Sequence, residues 1–463
     1  MIFTSFDYIY FLLCIFLCYW IIGNKFFQNT LLLIGSYIFY GWISPWFCSL
    51  LAASTVMDYF CGLGMKKYPD HKKSILILSL LSNLGILCIF KYFNFFSENI
   101  GLVLDQLGLH LNPPLLQLIL PVGISFYTFQ TMSYSIDIYR DRLEARANFI
   151  DFAAFVAFFP QLVAGPIERA SHFLPQLEKE RTWSWDDFDR AWPLILRGYF
   201  KKLVIADTTA TFVDKIYMLD HPGAVLLIIG TTAFAVQIFT DFSGYTDIAR
   251  GTARLFGFEL MRNFNNPYLA ISPSDFWKRW HISLSSWIRD YLFIPLGGSR
   301  HKSRAKNFTV LMITMGLCGL WHGAAWNFVL WGIFHGLLLA AYQVGGMGGN
   351  WQPRGLLQTA CAWMTMSGWT LLGWFFFRSS SLEWMLGALN VSASPTTDTE
   401  ALVVATKVLL HLLLLCLPLA LVFLASGQGK YRRYARVPVS LVLLFCILIF
   451  HKDTGQDFIY FQF

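Results

Sequence analysis

The sequence predicts an all-α polytopic membrane protein of about twelve transmembrane helices, with re-entrant and interfacial pieces. Three observations carry this prediction. Only 14% of the 463 residues are charged and 56% are hydrophobic, against roughly 25% charged in an ordinary soluble chain. Apolar runs recur from residue 7 to residue 451. No charged or Pro/Ser-rich linker divides them, so residues 1–463 read as a single membrane-embedded domain.

The first run, 7–22, has no basic residue before it and no small-residue cleavage site after it, which makes it a retained span and not a signal peptide. The runs 30–45 and 47–64 are two spans, or one span and a re-entrant piece; 74–92 and 114–138 follow. Within the last, Gln130, Ser133 and Asp137 fall at helical spacing and form a polar stripe. Such a stripe faces a wet cavity or bonds a neighbouring helix, and the cavity is the expectation. From Phe149 the chain is apolar, but Pro160, Gly165 and Pro166 forbid a regular helix. Irregular backbone at membrane depth needs protein or a water-filled cavity around it, so a re-entrant segment lining a cavity is expected.

Spans at 193–217 and 223–243 precede a mixed stretch, 244–307, in which Arg250, Arg254, Arg262, Asp275, Lys278, Arg279, His281, Arg289 and Asp290 alternate with Phe276, Trp277, Trp280, Trp287, Tyr291 and Phe293. Aromatic rings favour the headgroup level while Lys and Arg reach for water, so short helices along the interface are expected here. The runs 308–323, 326–345, 355–377, 403–425 and 437–451 complete the set.

Clustered Lys and Arg mark Lys66–Lys73, Arg140–Arg146, Arg300–Lys306 and Lys430–Arg436, whereas 379–402 has none. The positive-inside rule puts the four basic loops in the cytoplasm and both termini outside. The net charge of +7 is therefore a topology signal, with no basic array of the kind that binds nucleic acid. All nine cysteines lie in apolar segments without CxxC or Cys/His spacing, so neither disulfides nor a metal site are expected.

His322 is the most informative residue, because an ionisable side chain at bilayer depth costs at least ~2.5 kcal/mol and defaults to a functional role. The alternative is a neutral imidazole satisfied by a nearby carbonyl. Cys318 precedes it by four residues, on the same helical face. A thiol beside a base is a candidate nucleophile and acyl carrier, but also an ordinary small buried residue. His335, in the next run, borders the same cavity or satisfies a helix contact. His411 reads as structural, and His71, His110, His172, His221, His301 and His451 as solvated.

Four ordered motifs then define a resemblance. They are Phe159-Pro-Gln-Leu-Val-Ala-Gly-Pro166; Asp241-Phe-Ser-Gly-Tyr-Thr-Asp247-Ile-Ala-Arg250; Asn265-Asn-Pro-Tyr268 with Ser274-Asp-Phe-Trp-Lys-Arg-Trp-His281-Ile-Ser-Leu-Ser-Ser-Trp287; and Leu320-Trp-His322-Gly-Ala. Together they resemble the membrane-bound O-acyltransferase family, and within it the bacterial alginate O-acetyltransferase branch. The likeness extends over essentially the whole chain and is densest from 121 to 336.

The resemblance implies a multi-pass enzyme of the bacterial inner membrane, its helices arranged around a central tunnel, in which His322 is the family's catalytic histidine and His281 its second polar position. It implies acetyl taken from cytosolic acetyl-CoA and delivered across the membrane, through extracytoplasmic partner proteins, to an exported polysaccharide. Acetyl-CoA would be a co-substrate, with no tightly bound cofactor and membrane lipid as surroundings. The residue chemistry is compatible, because histidine has the unperturbed pKa nearest to that of a useful base at neutral pH. Lys278, Arg279, Arg289 and Arg300 are available for the phosphates of a CoA donor. Asp241, Ser243, Tyr245 and Asp247 read as a gate, or as an ion-paired brace for Arg250 and Arg254; Trp321 and His335 read as tunnel lining. Two other functions stay open: transfer of D-alanyl or another acyl group from a carrier-protein thioester to an envelope polymer or lipid, and transport without chemistry.

Overall fold

The computed structural model of the chain describes residues 1–463 except 164, 221, 301–302, 393–398, 426–430, 452–457 and 460–463, with backbone alone at 391–392, 421–425 and 431–436. All regular structure among the described residues is helical. Helices α1 (Phe6–Ile21), α2 (Lys25–Gly41), α3 (Phe47–Lys67), α4 (Lys72–Leu87), α5 (Phe93–Gln106), α6 (Ile124–Tyr139), α7 (Phe149–Ala157), α8 (Phe159–Leu162), α9 (Ala170–Glu178) and α10 (Trp185–Tyr199) occupy the first part of the chain. They are followed by α11 (Asp207–Tyr217), α12 (Ala224–Leu255), α13 (Pro273–Arg279), α14 (Ile282–Ile288), α15 (Arg304–His322), α16 (Trp326–Val344), α17 (Gly355–Arg378), α18 (Leu382–Ser392), α19 (Thr399–Ala425) and α20 (Tyr431–Phe450). Among the described residues, five stretches are long and apolar enough to cross a membrane: Phe47–Lys67, Pro69–Gln106, Ala224–Leu255, Trp326–Val344 and Thr399–Ala420. Their outer faces are bare hydrocarbon, as at Leu410, Leu413 and Leu417 of α19, which suits lipid as solvent and not water.

The chain forms two compact units. The first comprises Met1–Ala191 and Ala249–Met261, the second Trp192–Ile248 and Arg262–Phe463.

In the first unit the helix starts follow from capping. Ser5, Asn24 and Asn148 each accept a backbone N–H of the first turn of α1, α2 and α7. The span expected at 114–138 is helical only from Ile124, because Gly123 has φ +79° and Pro121 precedes it. A Cβ on Gly123 would fall on the Leu162 carbonyl, so only glycine lets this turn meet α8. The expected break at Pro160 is present: α7 stops at Ala157, and α8 is a single turn. Its last expected members, 163–166, continue without regular helix where described.

Of the polar stripe of α6, Gln130 bonds the neighbouring helix α7 and Ser133 bonds its own helix. Gln130 Nε2 donates to the Phe155 carbonyl at 2.7 Å and the Ser133 hydroxyl to the Gln130 carbonyl at 2.7 Å; Asp137 is buried on the same helix. Packing of α3, α4 and α6 encloses a polar knot around Asp58. Its carboxylate accepts Ser79 Oγ at 2.5 Å, Asn83 Nδ2 at 2.7 Å and Ser135 Oγ at 3.1 Å, and Ser54 and Thr131 donate to Asn83 Oδ1. His172, read as solvated, pairs at 2.8 Å with Glu168, whose other oxygen accepts the Met261 N–H. A hollow of about 730 Å³ in this unit is lined by apolar side chains such as Leu33, Trp42 and Val56.

In the second unit the stretch expected to be interfacial divides. Its first dozen residues belong to α12, which runs unbroken to Leu255; the short helices α13 and α14 follow, with a π-helical turn at Arg289–Phe293. Pro273 opens α13 under a Ser272 cap. Helices α15 and α16 are joined by a three-residue connection and pack backbone to backbone. A Cβ on Gly319 would fall on the Phe328 carbonyl, and one on Gly332 on the Met315 carbonyl. These small residues let α16 approach α15 closely and set the last turn of α15 beside the middle of α16.

Candidate active site

That approach positions His322. It is the last residue of α15, 3% exposed, with its ring centroid 5.0 Å from Trp331 of α16 and 5.4 Å from Phe377 of α17, both edge to face. Trp331 in turn lies 4.8 Å from His335, one helical turn further along α16. His335 stacks on Phe276 of α13 and meets Trp277 edge on. The His322 imidazole is thus walled by large rings from α15, α16 and α17, with the rings of α13 packed on His335 and Trp331 behind them. Aromatic rings pair well by their edges and faces, and this sequence places one at each helical turn that faces inward.

His281 reaches the same chamber by a different device. It sits between α13 and α14 at φ +43°, a left-handed conformation uncommon for a residue with a Cβ but relatively tolerated by His and Asn. Asn263 clasps the turn: its Oδ1 accepts the Ser283 N–H at 3.2 Å and the Ser283 hydroxyl at 2.6 Å, while its carbonyl accepts the Ile282 N–H at 2.9 Å. The strain, of order 1–3 kcal/mol, is held by these bonds, and the side chain is wholly buried. Its ring lies 4.7 Å from Phe242 and 6.0 Å from Trp321, whose own centroid is 5.0 Å from His322. Trp321 therefore touches both histidines. Burial pushes the His281 imidazole down to about 3, so it is a neutral hydrogen-bonding group in this segment outside the spans.

Other expected site residues are distributed as follows. Cys318 is buried one turn before His322, and its thiol makes no hydrogen bond among the described residues. Lys278 bonds the Gly349 carbonyl and Asn350, Arg279 pairs with Asp275, Arg289 with Asp290, and Arg300 is exposed. Asp241 and Asp247 are ion-paired, but their partners include Lys202 (3.0 Å) for the first, and Arg197 (3.1 Å) and Lys201 (2.7 Å) for the second. Arg254, an expected partner, bonds Glu259 instead. Ser243 and Tyr245 are buried on α12, where Tyr245 packs 4.4 Å from Phe458. The Ile459 N–H donates to Asp241 at 2.7 Å, which ties the end of the chain to the same helix. Gln130 and Asp137 belong to the first unit. His221 and His301 lie outside the described residues.

Three residues of the site, Asn263 at the His281 turn and Trp331 and Phe377 beside His322, were not singled out from the sequence. Trp331 carried a signal: it is one turn from His335 and nine residues after His322 in an apolar run.

Comparison with known proteins decides the family. The model of the membrane-bound O-acyltransferase family matches residues 33–377, which contain both histidines and every ring of the chamber named around His322. The chain belongs to the membrane-bound O-acyltransferases. It is 38% identical over 427 residues to the probable alginate O-acetylase AlgI of Pseudomonas aeruginosa, covering 89% of this chain and 81% of the relative. The corresponding protein of Pseudomonas putida is 35% identical with full coverage of both chains. A peptidoglycan O-acetyltransferase of Helicobacter pylori is 34% identical, covering 79% of this chain and 74% of the relative. This member of the family is a multi-pass membrane acyltransferase.

Proposed function

We propose that this acyltransferase moves acetyl from cytosolic acetyl-CoA across the bacterial inner membrane for O-acetylation of an exported polysaccharide. The observation that carries the reading is the pair of buried histidines against one indole, His281 and His322 on Trp321, in a chain whose relatives bear O-acetylase and O-acetyltransferase names. His322 acts as the base that takes the acceptor proton, and neutral His281 orients or polarises the donor. Lys278, Arg279, Arg289 and Arg300 supply positive charge for the CoA phosphates on the cytosolic rim. About twelve crossings with both termini outside complete the arrangement, and soluble extracytoplasmic partners receive the acetyl group. The test is transfer or hydrolysis of radiolabelled acetyl-CoA by purified protein in lipid. Wild type should turn the donor over and His322→Ala should not.

The carrier-protein alternative would be favoured by the reverse result, inertness toward acetyl-CoA with turnover of an acyl-loaded carrier. A covalent stage on Cys318 is supported by spacing alone, and full transfer by Cys318→Ser would remove it.

A further inference from the structure

The apolar hollow of the first unit is a groove between α2, α3 and α7, and the acyl-transfer chemistry does not use it. Its less exposed lining includes Gly41, Cys48, Ala52 and Ala153, all small. Its rims are large, with Ile34, Ile38, Trp42 and Val56 exposed by 53%, 48%, 57% and 40%. These rims continue into the outer face of α3, where Met57 and Phe60 lie open beside Val56 and the helix is long and apolar enough to span a membrane. The groove therefore opens sideways onto hydrocarbon. From Leu33 to Gly41 on α2, and from Cys48 to Val56 on α3, the lining advances eight residues, about 12 Å at 1.5 Å per residue. That depth is close to half of the ~30 Å hydrocarbon core, the share of one leaflet. Trp42 and Trp46, both exposed, stand at the α2–α3 connection where the groove begins, the level that tryptophan favours at a membrane boundary. The far end of α3 carries Lys66 and Lys67.

Water does not suit this space. About 730 Å³ would take roughly 24 waters at ~30 Å³ each, and every water wants two to four polar partners. Only Tyr37, Trp42 and Cys48 among the lining residues carry a polar side-chain atom, and the Cys48 thiol already donates to the Tyr37 carbonyl at 3.5 Å. An unfilled groove would forfeit dispersion contacts along its whole lining. We propose that it seats one acyl chain of a bilayer phospholipid, in the leaflet remote from Lys66 and Lys67. The headgroup sits at Trp42 and Trp46 and the tail runs toward Val56 and Phe149. Lipid tails are as apolar as the groove, so the preference comes from shape and close packing and not from escape from water. The bound chain fills the space between the three helices as a core side chain would.

The test is photolabelling of the purified full-length protein in bilayers doped with a diazirine phospholipid. One version carries the diazirine near the ester of the acyl chain and the other near its methyl end, and labelled residues are located by mass spectrometry. The groove should be labelled at least about fivefold above the open face of α19 at Leu410, Leu413 and Leu417. The near-ester probe should favour Trp42 and Cys48, the methyl-end probe Val56 and Phe149. Ala52→Phe and Val56→Phe each put a ring into the groove, and should bring its labelling down to the α19 level while α19 itself is unchanged. Equal labelling of groove and α19 in wild type, an absent or reversed depth order, or undiminished groove labelling in both folded variants would overturn the assignment. Folding is checked by thermal unfolding in detergent. If one variant is not recovered folded the other decides, and if neither is, the wild-type enrichment and depth order decide alone.

Discussion

His281 and His322 pack against the same indole, Trp321, with ring centroids 6.0 and 5.0 Å away, although they arrive from different elements, a strained turn and a helix end. Each arrival depends on a short-range device that can be removed by one substitution.

For His281 the device is Asn263. Asn263→Ala deletes the acceptor for both the N–H and hydroxyl of Ser283, and the left-handed turn loses its support. Acyl transfer should fall at least about tenfold, since small misplacement of a reacting group is costly. Ser283→Ala, which removes only the hydroxyl, should fall less. Initial rates at saturating donor check the order.

For His322 the device is the close approach of α15 and α16. Gly319→Ala or Gly332→Ala places a methyl group on a facing carbonyl, and overpacking of this kind costs about 1–3 kcal/mol or more. The melting temperature in detergent should drop for both. Gly316→Ala on the same helix meets nothing within 4 Å and should leave it unchanged.

Asp58 makes a prediction of stability without chemistry. Asp58→Ala leaves the buried donors of Ser79, Asn83 and Ser135 short of their acceptor, a loss of about 1–3 kcal/mol for each donor left unsatisfied. Asp58→Asn should cost less. Turnover per folded molecule should persist in both variants, read as active fraction after size-exclusion chromatography.

The Glu168–His172 pair titrates in a stated direction. The hydrogen bond that His172 donates to the Glu168 carboxylate raises the imidazole above its ordinary value, and burial raises the Glu168 carboxyl. A group whose folded pKa is raised stabilises the fold fully below its unfolded pKa, about 6.5 for His, and that stabilisation is lost as pH rises through the folded value. Wild type should therefore exceed Glu168→Gln in stability more at pH 6 than at pH 9. NMR titration of His172 should show its pKa fall in Glu168→Gln.

Much of this was legible in the sequence because the bilayer makes polarity expensive. His322 and Pro160 stood out against apolar surroundings, and the four motifs announced the family before any coordinate. What escaped depended on tertiary partners. Gln130 and Ser133 had the spacing of a cavity stripe, but the carbonyls that accept from them belong to Phe155, on another helix, and to the preceding turn. Asp241 and Asp247 had arginines close in sequence, yet Lys202, Lys201 and Arg197 reach them from the preceding helical segment. Lys202 and Asp58 are charges inside apolar runs and could have been flagged by the rule that singled out His322.

The central claim is that the aromatic chamber holds the reacting carbonyl at His322. The most direct measurement is a cryo-EM map of the protein in lipid with a non-transferable acetyl-CoA thioether bound. The acyl carbon should lie within about 4 Å of an imidazole nitrogen of His322. An acyl group ordered elsewhere, with the His322 chamber empty, would contradict it.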